Sequence, residues 1–162
     1  MRDGMTNLAN RRYFEISIAR ELAEARAKNA NLCLVLIDID HFKRINDTHG
    51  HVVGDDVLRY FAAILMSNVK GRDLAARYGG EEFALILPDT RVDQALSLCR
   101  HIMEQLEKSR LVLSEGKKPL GQLTASFGIA QYCEGDVPEE LVRRADEKLY
   151  AAKNAGRNRI SS

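Results

Sequence analysis

The chain has 162 residues, of which 45% are hydrophobic and 29% are charged. This length and composition fit one globular domain and exclude disordered and fibrous proteins. The 24 Lys and Arg residues balance 23 Asp and Glu residues to a net charge of +1, so no overall positive field would attract nucleic acid or an anionic membrane.

The purely apolar runs, such as residues 32–37, are far too short to span a bilayer. The first residues also lack the apolar stretch of a signal peptide. We therefore expect a cytoplasmic domain that contacts neither nucleic acid nor the membrane directly, although a parent protein could be anchored in a membrane.

The first half of the chain is predicted to contain two long helices around a strand and a polar loop. Residues 10–29 carry apolar side chains at three- and four-residue spacings, as do residues 55–69, which is typical of helices. Residues 32–38 are short and apolar, which predicts a strand buried on both faces that ends in an aspartate. Residues 40–54 are polar and rich in turn formers, which favours a short helix and a functional loop.

A β-hairpin is predicted in the middle of the chain. Residues 74–78 and 82–87 have strand composition, and Gly79-Gly80 lies between them. Because a Gly-Gly pair adopts positive φ at little cost, a tight turn is expected there.

The last third is predicted to add a helix, a strand and a final helix. Thr90 and Asp93 have capping-box spacing before a helical pattern that runs to Leu106, and residues 114–119 form a loop after it. Residues 123–133 are rich in strand formers, and a closing helix follows. The element order α-β-α-α-β-β-α-β-α predicts an α+β fold with a mixed or antiparallel central sheet flanked by helices.

Acidic residues lie at two predicted strand ends. Asp38 ends a buried strand and needs a cation or hydrogen bonds, so it is either a helix cap or a metal ligand, and Asp40 has the same need. Glu81 and Glu82 follow the Gly-Gly pair and form either a solvated tip or part of the sheet interior. If the hairpin lies beside the Asp38 strand, three carboxylates converge into a hard oxygen site for Mg²⁺ or Mn²⁺ with bound phosphate.

Basic residues lie where phosphates could bind. Amides at the start of a short helix after the Asp38 strand could hold a phosphate, with Lys43 or Arg44 adding charge. Near the C-terminus, Lys153 and Arg157 flank Gly156, a natural helix end. They either complement the helix dipole or grip a terminal phosphate.

Asn46 and Asp55 could read a nucleobase. A carboxylate accepts hydrogen bonds from the adjacent N–H donors of guanine, whereas adenine offers a ring acceptor there. The alternative is that Asn46 is a turn residue and Asp55 a helix cap. His49 and His51 are more typical of surface groups than of a chelating pair.

With these residues in place, the chain resembles the GGDEF family of diguanylate cyclase domains. The signature is Gly79-Gly80-Glu81-Glu82-Phe83, the GGEEF form. Other blocks match in order over nearly the whole of residues 1–162, which we interpret as a single domain. They are residues 3–12, Asp38-Ile39-Asp40-His41-Phe42-Lys43, Asn46-Asp47, Gly50-His51, Gly54-Asp55, Ala145-Asp146, Tyr150, Lys153 and Gly156-Arg157-Asn158.

The resemblance implies a fold similar to adenylyl cyclase catalytic cores and polymerase palm domains, with GGEEF on a β-hairpin. It implies condensation of two GTP molecules to cyclic di-GMP and two pyrophosphates, with two Mg²⁺ (or Mn²⁺) ions per active site. Because one domain has one GTP site, a transient antiparallel homodimer is expected. A sensor or receiver domain is expected in a longer signalling protein. The alternatives are an inactive nucleotide-binding module and a cyclase making a mixed purine dinucleotide.

The resemblance also implies a role for each matching residue. Glu81 is the expected proton acceptor for the ribose 3′-hydroxyl. The expected metal ligands are Asp38, the backbone carbonyl of Ile39, Glu81 and Glu82. The expected substrate contacts are Asn46 and Asp55 to guanine, His51 nearby, Phe42 and Lys43 on the phosphate loop, and Lys153 and Arg157 to the outer phosphates.

One segment departs from the family pattern. Members subject to product inhibition carry Arg-x-x-Asp shortly before the signature, and here that spacing gives Lys70-Gly71-Arg72-Asp73. Because lysine cannot make the forked contact of arginine, the inhibitory site at Lys70 and Asp73 is degenerate, and weak or absent product inhibition is expected.

Overall fold

A computed structural model of the protein describes residues 1–109 and 120–162. These residues form a five-stranded sheet in the order β2-β3-β1-β4-β5, flanked by helices. All neighbouring strands are antiparallel except β4 and β5, so the predicted α+β fold with a mixed sheet is confirmed. The elements are α1 Arg11–Lys28, β1 Leu32–Ile39, α2 Phe42–His49, α3 His51–Asn68, β2 Leu74–Arg77, β3 Glu82–Pro88, α4 Val92–Glu107, β4 Ala125–Gln131, α5 Pro138–Asn154 and β5 Ile160–Ser161.

The central strand β1 separates two hydrophobic cores. All eight of its residues are buried, and alternate side chains point to opposite faces. Val35 and Ile37 join a core built with α3 and α4, whereas Leu34 and Leu36 join one built with α1 and α5. Each such aliphatic side chain contributes about 1.5–3 kcal/mol on full burial. Asp38 continues the second series and therefore lies on the α5 side of the sheet.

Helix α5 packs directly onto strand β4. A Cβ atom at Gly128 would lie 2.2 Å from the backbone nitrogen of Leu149 and 2.3 Å from the carbonyl oxygen of Ala145. Glycine is therefore required here, because the missing side chain makes room for the helix backbone. This close approach brings the end of α5, including Lys153, over the end of β1.

The predicted hairpin is confirmed as β2 and β3, with a different turn. The backbone amides of Tyr78 and Gly79 donate to the carbonyl oxygen of Glu82, at 2.8 and 3.0 Å. Neither Gly79 nor Gly80 has a positive φ, so the expected reason for the glycine pair is wrong. Instead, a Cβ atom at Gly79 would come within 3.1 Å of Glu82 Oε2. Phe83 anchors the hairpin against Phe61, with ring centroids 5.0 Å apart.

The polar segment after β1 is more helical than expected. Helices α2 and α3 are separated only by Gly50, and α3 begins at His51 rather than at Asp55. Asp55 therefore lies one turn inside a helix and is not its cap, because the cap position is taken by Gly50.

The start of helix α4 also differs from the sequence prediction. Its N-cap is Arg91 and not Thr90, and Arg91 N donates to Gln94 Oε1 at 2.9 Å. The predicted loop 114–119 lies outside the described residues.

The N-terminal segment covers the outer edge of strand β2. Ala9 N donates to the carbonyl oxygen of Ala75 at 3.2 Å, and Arg77 N donates to that of Ala9 at 2.9 Å. Ala9 thus forms a parallel bridge with Ala76. Over the two described ranges, no helix is both long enough and apolar enough to cross a membrane.

Candidate active site

A groove of about 490 Å³ opens where the end of β1, the hairpin tip, the start of α2 and the end of α5 meet. Eleven residues line it, and seven of them are predicted site residues: Asp38, Ile39, Phe42, Lys43, Glu81, Lys153 and Arg157. Asp38 and Lys153, which are 115 positions apart in sequence, are therefore neighbours here. The others are Asp40, His41, Arg44 and Asp47.

Asp38 is the buried acid of this groove. Its side chain is only 7% exposed, and Lys153 Nζ donates to its Oδ2 at 2.6 Å. Burial raises the pKa of Asp38, the nearby charge of Asp40 adds to that, and the bond from Lys153 opposes it. Lys153 is thus the cation that balances Asp38, and the alternative of Asp38 as a helix cap is wrong because His41 holds the cap position of α2.

Glu81 and Glu82 lie half-buried at the hairpin tip. Glu82 is directly opposite Asp38 in the β1–β3 register, and Ile39 N donates to the carbonyl oxygen of Glu81 at 3.3 Å. Burial raises the pKa of both glutamates, and the negative charge of Asp38 raises each further. The tip is therefore part of the sheet edge and not a fully solvated turn.

The protein side chains at this edge would supply only part of the coordination shell of a metal ion. Among residues 1–109 and 120–162, no three acidic, histidine or cysteine side chains are grouped closely enough to hold an ion by themselves. The predicted convergence of Asp38, Glu81 and Glu82 on one ion is therefore not seen. Asp38 and Glu81 both line the groove, and cationic side chains line it as well. Such a donor set fits Mg²⁺, which usually takes one or two carboxylates and completes its shell with water and substrate phosphates.

Positive charge lines the other side of the same groove. Lys43 and Arg44 come from the first turn of α2, Lys153 comes from the last turn of α5, and Arg157 comes from the turn that follows α5. Helix α2 starts without a side-chain cap, so the amides of its first turn remain available to an anion. Phe42 is buried at the first position and fixes this turn against the core. The groove can therefore hold a polyphosphate between backbone amides and four cationic side chains.

A second groove of about 730 Å³ adjoins the first and shares Phe42, Lys43 and Glu81 with it. Asn46 and Asp55 both line it, as the sequence predicts. Oδ1 of Asn46 is buried and accepts no hydrogen bond from the described part of the chain. Space for the Asn46 amide exists because residue 54 is glycine, since a Cβ there would lie 1.8 Å from Asn46 Oδ1. A buried polar atom without a partner is costly and is ready for a ligand.

Three predicted site residues lie elsewhere. His51 is exposed at the start of α3 and lines neither groove. Lys70 and Asp73 are on the far side of the sheet edge, where Lys70 N donates to Asp73 Oδ2 at 3.2 Å. Burial raises the pKa of Asp73, and the bond from the Lys70 amide opposes this. Arg72 donates to carboxylates of α1 and of the turn after β3: Glu21 at 2.6 Å, Glu24 at 3.1 Å and Asp89 at 3.1 Å.

Arg77 is a site residue that the sequence reasoning missed. It lines the second groove, donates to the carbonyl oxygen of Gly80 at 2.8 Å and forms a salt bridge with Asp3 at 3.2 Å. Burial of Asp3 acts to raise its pKa, but hydrogen bonds from Thr6 and Arg77 outweigh burial and lower it. Arg77 thus holds the hairpin tip through contacts 74 residues apart in sequence. Its position two residues before the Gly-Gly pair was the available signal.

A comparison with protein families identifies this arrangement. The family model described as the diguanylate cyclase GGDEF domain matches residues 1–159. The chain belongs to the GGDEF family. The match covers almost all of the sequence, so the resemblance inferred from the signature and its surrounding blocks is confirmed.

Individual GGDEF proteins agree with this assignment. The response regulator PleD of Caulobacter vibrioides is 44% identical over 159 residues, which cover 98% of this chain and 35% of PleD. The crystal structure of the GGDEF domain of DgcB from Caulobacter crescentus, in complex with c-di-GMP, has a TM-score of 0.97 and 40% identity, covering 99% of this chain and 91% of that chain. The structure of the active GGEEF domain of a Vibrio cholerae diguanylate cyclase has a TM-score of 0.86 and 33% identity, covering 95% and 96%.

The chain spans about a third of the length of PleD. It matches nearly the full length of the isolated GGDEF and GGEEF domain structures. The comparison therefore covers the GGDEF domain itself.

Proposed function

We propose that this domain is a diguanylate cyclase that condenses two GTP molecules into cyclic di-GMP and releases two pyrophosphates. One observation carries the proposal: the half-buried Glu81 lies at the junction of a cationic groove and a groove lined by Asn46 and Asp55. One groove suits a triphosphate and the other suits a guanine base. The relatives named as diguanylate cyclases support the same reaction.

The proposed substrate contacts follow from the two grooves. Lys153 and Arg157 would bind the outer phosphates. Lys43 and the first-turn backbone amides of α2 would form the loop that binds phosphate. Asp55 would accept hydrogen bonds from the N–H donors of guanine, and the unpartnered Oδ1 of Asn46 would accept another. An adenine base would present a ring acceptor to Asp55, so GTP should be preferred over ATP.

Mg²⁺, or Mn²⁺, is the proposed cofactor, with two ions per active site. Asp38, Glu81 and the Ile39 carbonyl would hold these ions, and Glu82, which lines the adjoining groove, would assist without completing a three-carboxylate site. The ions would supply charge neutralisation at the attacking and leaving oxygens. GGDEF diguanylate cyclases are in general dependent on Mg²⁺.

Glu81 is the proposed proton acceptor for the 3′-hydroxyl. Burial and the charge of Asp38 raise its pKa, and a base whose pKa lies closer to the working pH transfers protons more efficiently. The hydroxyl oxygen would attack the α-phosphorus of the second nucleotide in line with the leaving pyrophosphate.

Catalysis would require two domains. One domain offers one guanine groove beside one cationic groove, so the 3′-hydroxyl of its nucleotide must meet an α-phosphorus held by a second copy. A transient antiparallel homodimer satisfies this requirement for both nucleotides at once.

We further propose that residues 1–162 act as the single catalytic domain of a longer signalling protein. A sensor or receiver domain would control dimer formation, and the substrate would place the catalytic domain in the cytoplasm. The much greater length of PleD supports this.

The proposal is tested by incubating the purified domain with Mg²⁺ and GTP, with and without ATP, and separating the products. We expect cyclic di-GMP and pyrophosphate, no product from ATP alone, and no mixed dinucleotide. Glu81→Gln should abolish turnover and retain the circular dichroism spectrum of the folded domain. GTP binding without any product would instead support the inactive module.

A further inference from the structure

Asp40 lies in the candidate site but has no need for a metal ion. It is 6% exposed, and three donors of the protein surround its carboxylate. Ser126 Oγ donates to Oδ1 at 2.7 Å, while Thr124 Oγ1 and Asn158 N donate to Oδ2 at 2.7 and 2.9 Å. Three short hydrogen bonds from the protein therefore satisfy this carboxylate without a cation.

The third of these bonds holds a strained segment. Arg157 and Asn158 follow helix α5 and have φ values of +62° and +46°. Two consecutive residues with side chains rarely adopt this left-handed conformation, and each costs about 1 kcal/mol or more. Asp40 is therefore a partner that keeps Asn158, and with it the backbone of Arg157, in this conformation.

The strained turn carries a phosphate-binding side chain. Arg157 lines the cationic groove, and its charge acts on Asp38 across it. The turn also remains tied to the end of α5, since Arg157 N donates to the carbonyl oxygen of Ala152 at 3.0 Å. If the turn relaxed to ordinary backbone angles, the Arg157 side chain would leave the groove.

We propose that Asp40 is a positioning residue for triphosphate recognition and not a metal ligand. Its carboxylate fixes the Arg157-Asn158 turn and thereby orients Arg157 toward the outer phosphates. The inference rests on the proposed function, since it assumes a triphosphate in the cationic groove. Asp40 would thus strengthen binding of the outer phosphates through Arg157, without contacting those phosphates itself.

Two substitutions at Asp40 separate positioning from metal binding. Asp40→Asn keeps an oxygen that can accept from Asn158 N, and its amide can donate to Ser126 Oγ. Asp40→Ala removes the acceptor of Asn158 N, so the turn loses this bond and keeps the one from Arg157 N to the carbonyl oxygen of Ala152 at the end of α5. Affinities for α,β-methylene GTP, which cannot turn over, and for GMP, which lacks the outer phosphates, are measured by calorimetry with Mg²⁺ present.

We expect Asp40→Ala to weaken binding of the GTP analogue about tenfold and to change GMP binding by less than about twofold. Asp40→Asn should bind both nucleotides as the wild type does. Ser126→Ala is the matched control, because it removes a contact to Asp40 and leaves the bond to Asn158 N. It should lower stability without changing either affinity.

Hydrogen exchange of the Asn158 amide provides a readout without nucleotide. The amide should be protected in the wild type and Asp40→Asn and should exchange rapidly in Asp40→Ala. Unchanged GTP affinity or unchanged protection in Asp40→Ala overturns the proposal, as does an Asp40→Asn variant as weak as Asp40→Ala. A wild-type domain that binds no GTP analogue, yet shows the expected exchange pattern, refutes the proposed function and leaves Asp40 as a fold anchor only, which also overturns the inference.

Discussion

At the scale of single residues, the pair between Asp38 and Lys153 holds the site together before substrate arrives. Asp38 is almost fully buried, whereas the Lys153 side chain is 29% exposed. Removing one partner of such a pair leaves an uncompensated buried charge. Lys153 is also the proposed ligand of an outer phosphate. It would therefore interact with two anions, the Asp38 carboxylate and that phosphate.

Replacing Lys153 by Met should therefore destabilise the nucleotide-free domain. We expect a loss of about 1–3 kcal/mol in the free energy of unfolding, below the usual cost for a fully buried pair because Lys153 is partly exposed. Urea denaturation at neutral pH measures it. Lys148→Met, on an exposed position of the same helix, is the matched control. Equal stability of the two variants would show that Asp38 does not depend on Lys153.

In contrast to replacing Lys153, replacing Glu81 should stabilise the domain. Its pKa in the folded domain is raised by burial and then by Asp38, so the folded state binds its proton more tightly than the unfolded chain does. Ionisation therefore costs stability as the pH rises past the ordinary pKa of 4.5. We expect Glu81→Gln to be more stable than the wild type at neutral pH, with a difference that disappears below pH 4.5.

Denaturation profiles over a pH series test this expectation without any assay of turnover. Glu104→Gln removes an exposed carboxylate on α4 and should leave the profile unchanged. A Glu81→Gln variant that is less stable than the wild type at neutral pH would contradict the predicted sign.

Weak product inhibition is expected because Lys70 stands where product-inhibited family members carry arginine. Arg72 cannot replace the missing arginine, because Glu21, Glu24 and Asp89 already bind its guanidinium. We expect added cyclic di-GMP to inhibit the wild type weakly and Lys70→Arg more strongly, since arginine restores the forked donor. Initial rates over a series of product concentrations measure both. Strong inhibition of the wild type at low micromolar product would refute this.

The sequence was sufficient for residues whose signal is local. Asp38 was identifiable because an acid at the end of a buried strand needs a partner, and Lys153 and Arg157 were identifiable from the family pattern. The role of Asp40 was not, because its partners Thr124, Ser126 and Asn158 are 84 to 118 positions away. Arg77 was missed for the same reason, since its partner Asp3 is 74 residues earlier.

At the scale of elements, the packing of α2 against α3 shapes the second groove, which we propose binds guanine. Gly54 lies in α3 directly beneath the Asn46 amide of α2. Glycine in a helix is less favourable than alanine by about 0.5–1 kcal/mol. Its presence here therefore reflects the space that Asn46 requires.

Gly54→Ala should leave the fold intact and impair substrate binding. The new methyl group would displace the end of the Asn46 side chain, which can swing away, so stability should change little. We expect KM for GTP to rise about tenfold. In a double-mutant cycle, adding Gly54→Ala to Asn46→Ala should have little further effect, because both act through one contact. Fully additive effects would indicate an independent role for Gly54.

Element types were predictable, whereas several boundaries were not. The strands β1 and β3 and the long helices follow from hydrophobic spacing. The start of α3 at His51 could not be predicted from hydrophobic spacing. Residues 51–54 look like a turn in isolation and are helical through their contact with α2. The Gly79-Gly80 pair correctly indicated a turn. Glycine is favoured at residue 79 because the Glu82 side chain lies close to it, and not because the backbone has a positive φ.

At the scale of the whole molecule, the proposed reaction needs two copies of the domain. Specific activity should therefore rise with protein concentration until the dimer is saturated. Initial rates from nanomolar to micromolar domain, with light scattering at the same concentrations, test this. A constant specific activity from a particle of monomer mass would exclude the two-domain mechanism.

The N-terminal cover of strand β2 has a consequence for solubility. Strand β2 pairs with β3 on one side, and on the other side the Ala75 carbonyl and the Arg77 amide bond to Ala9. A foreign strand approaching this edge finds these two hydrogen-bonding groups occupied, which disfavours edge-to-edge addition at β2. Residues 1–9 thus protect this edge of the sheet, and their removal would expose the unpaired peptide groups of β2 to other chains.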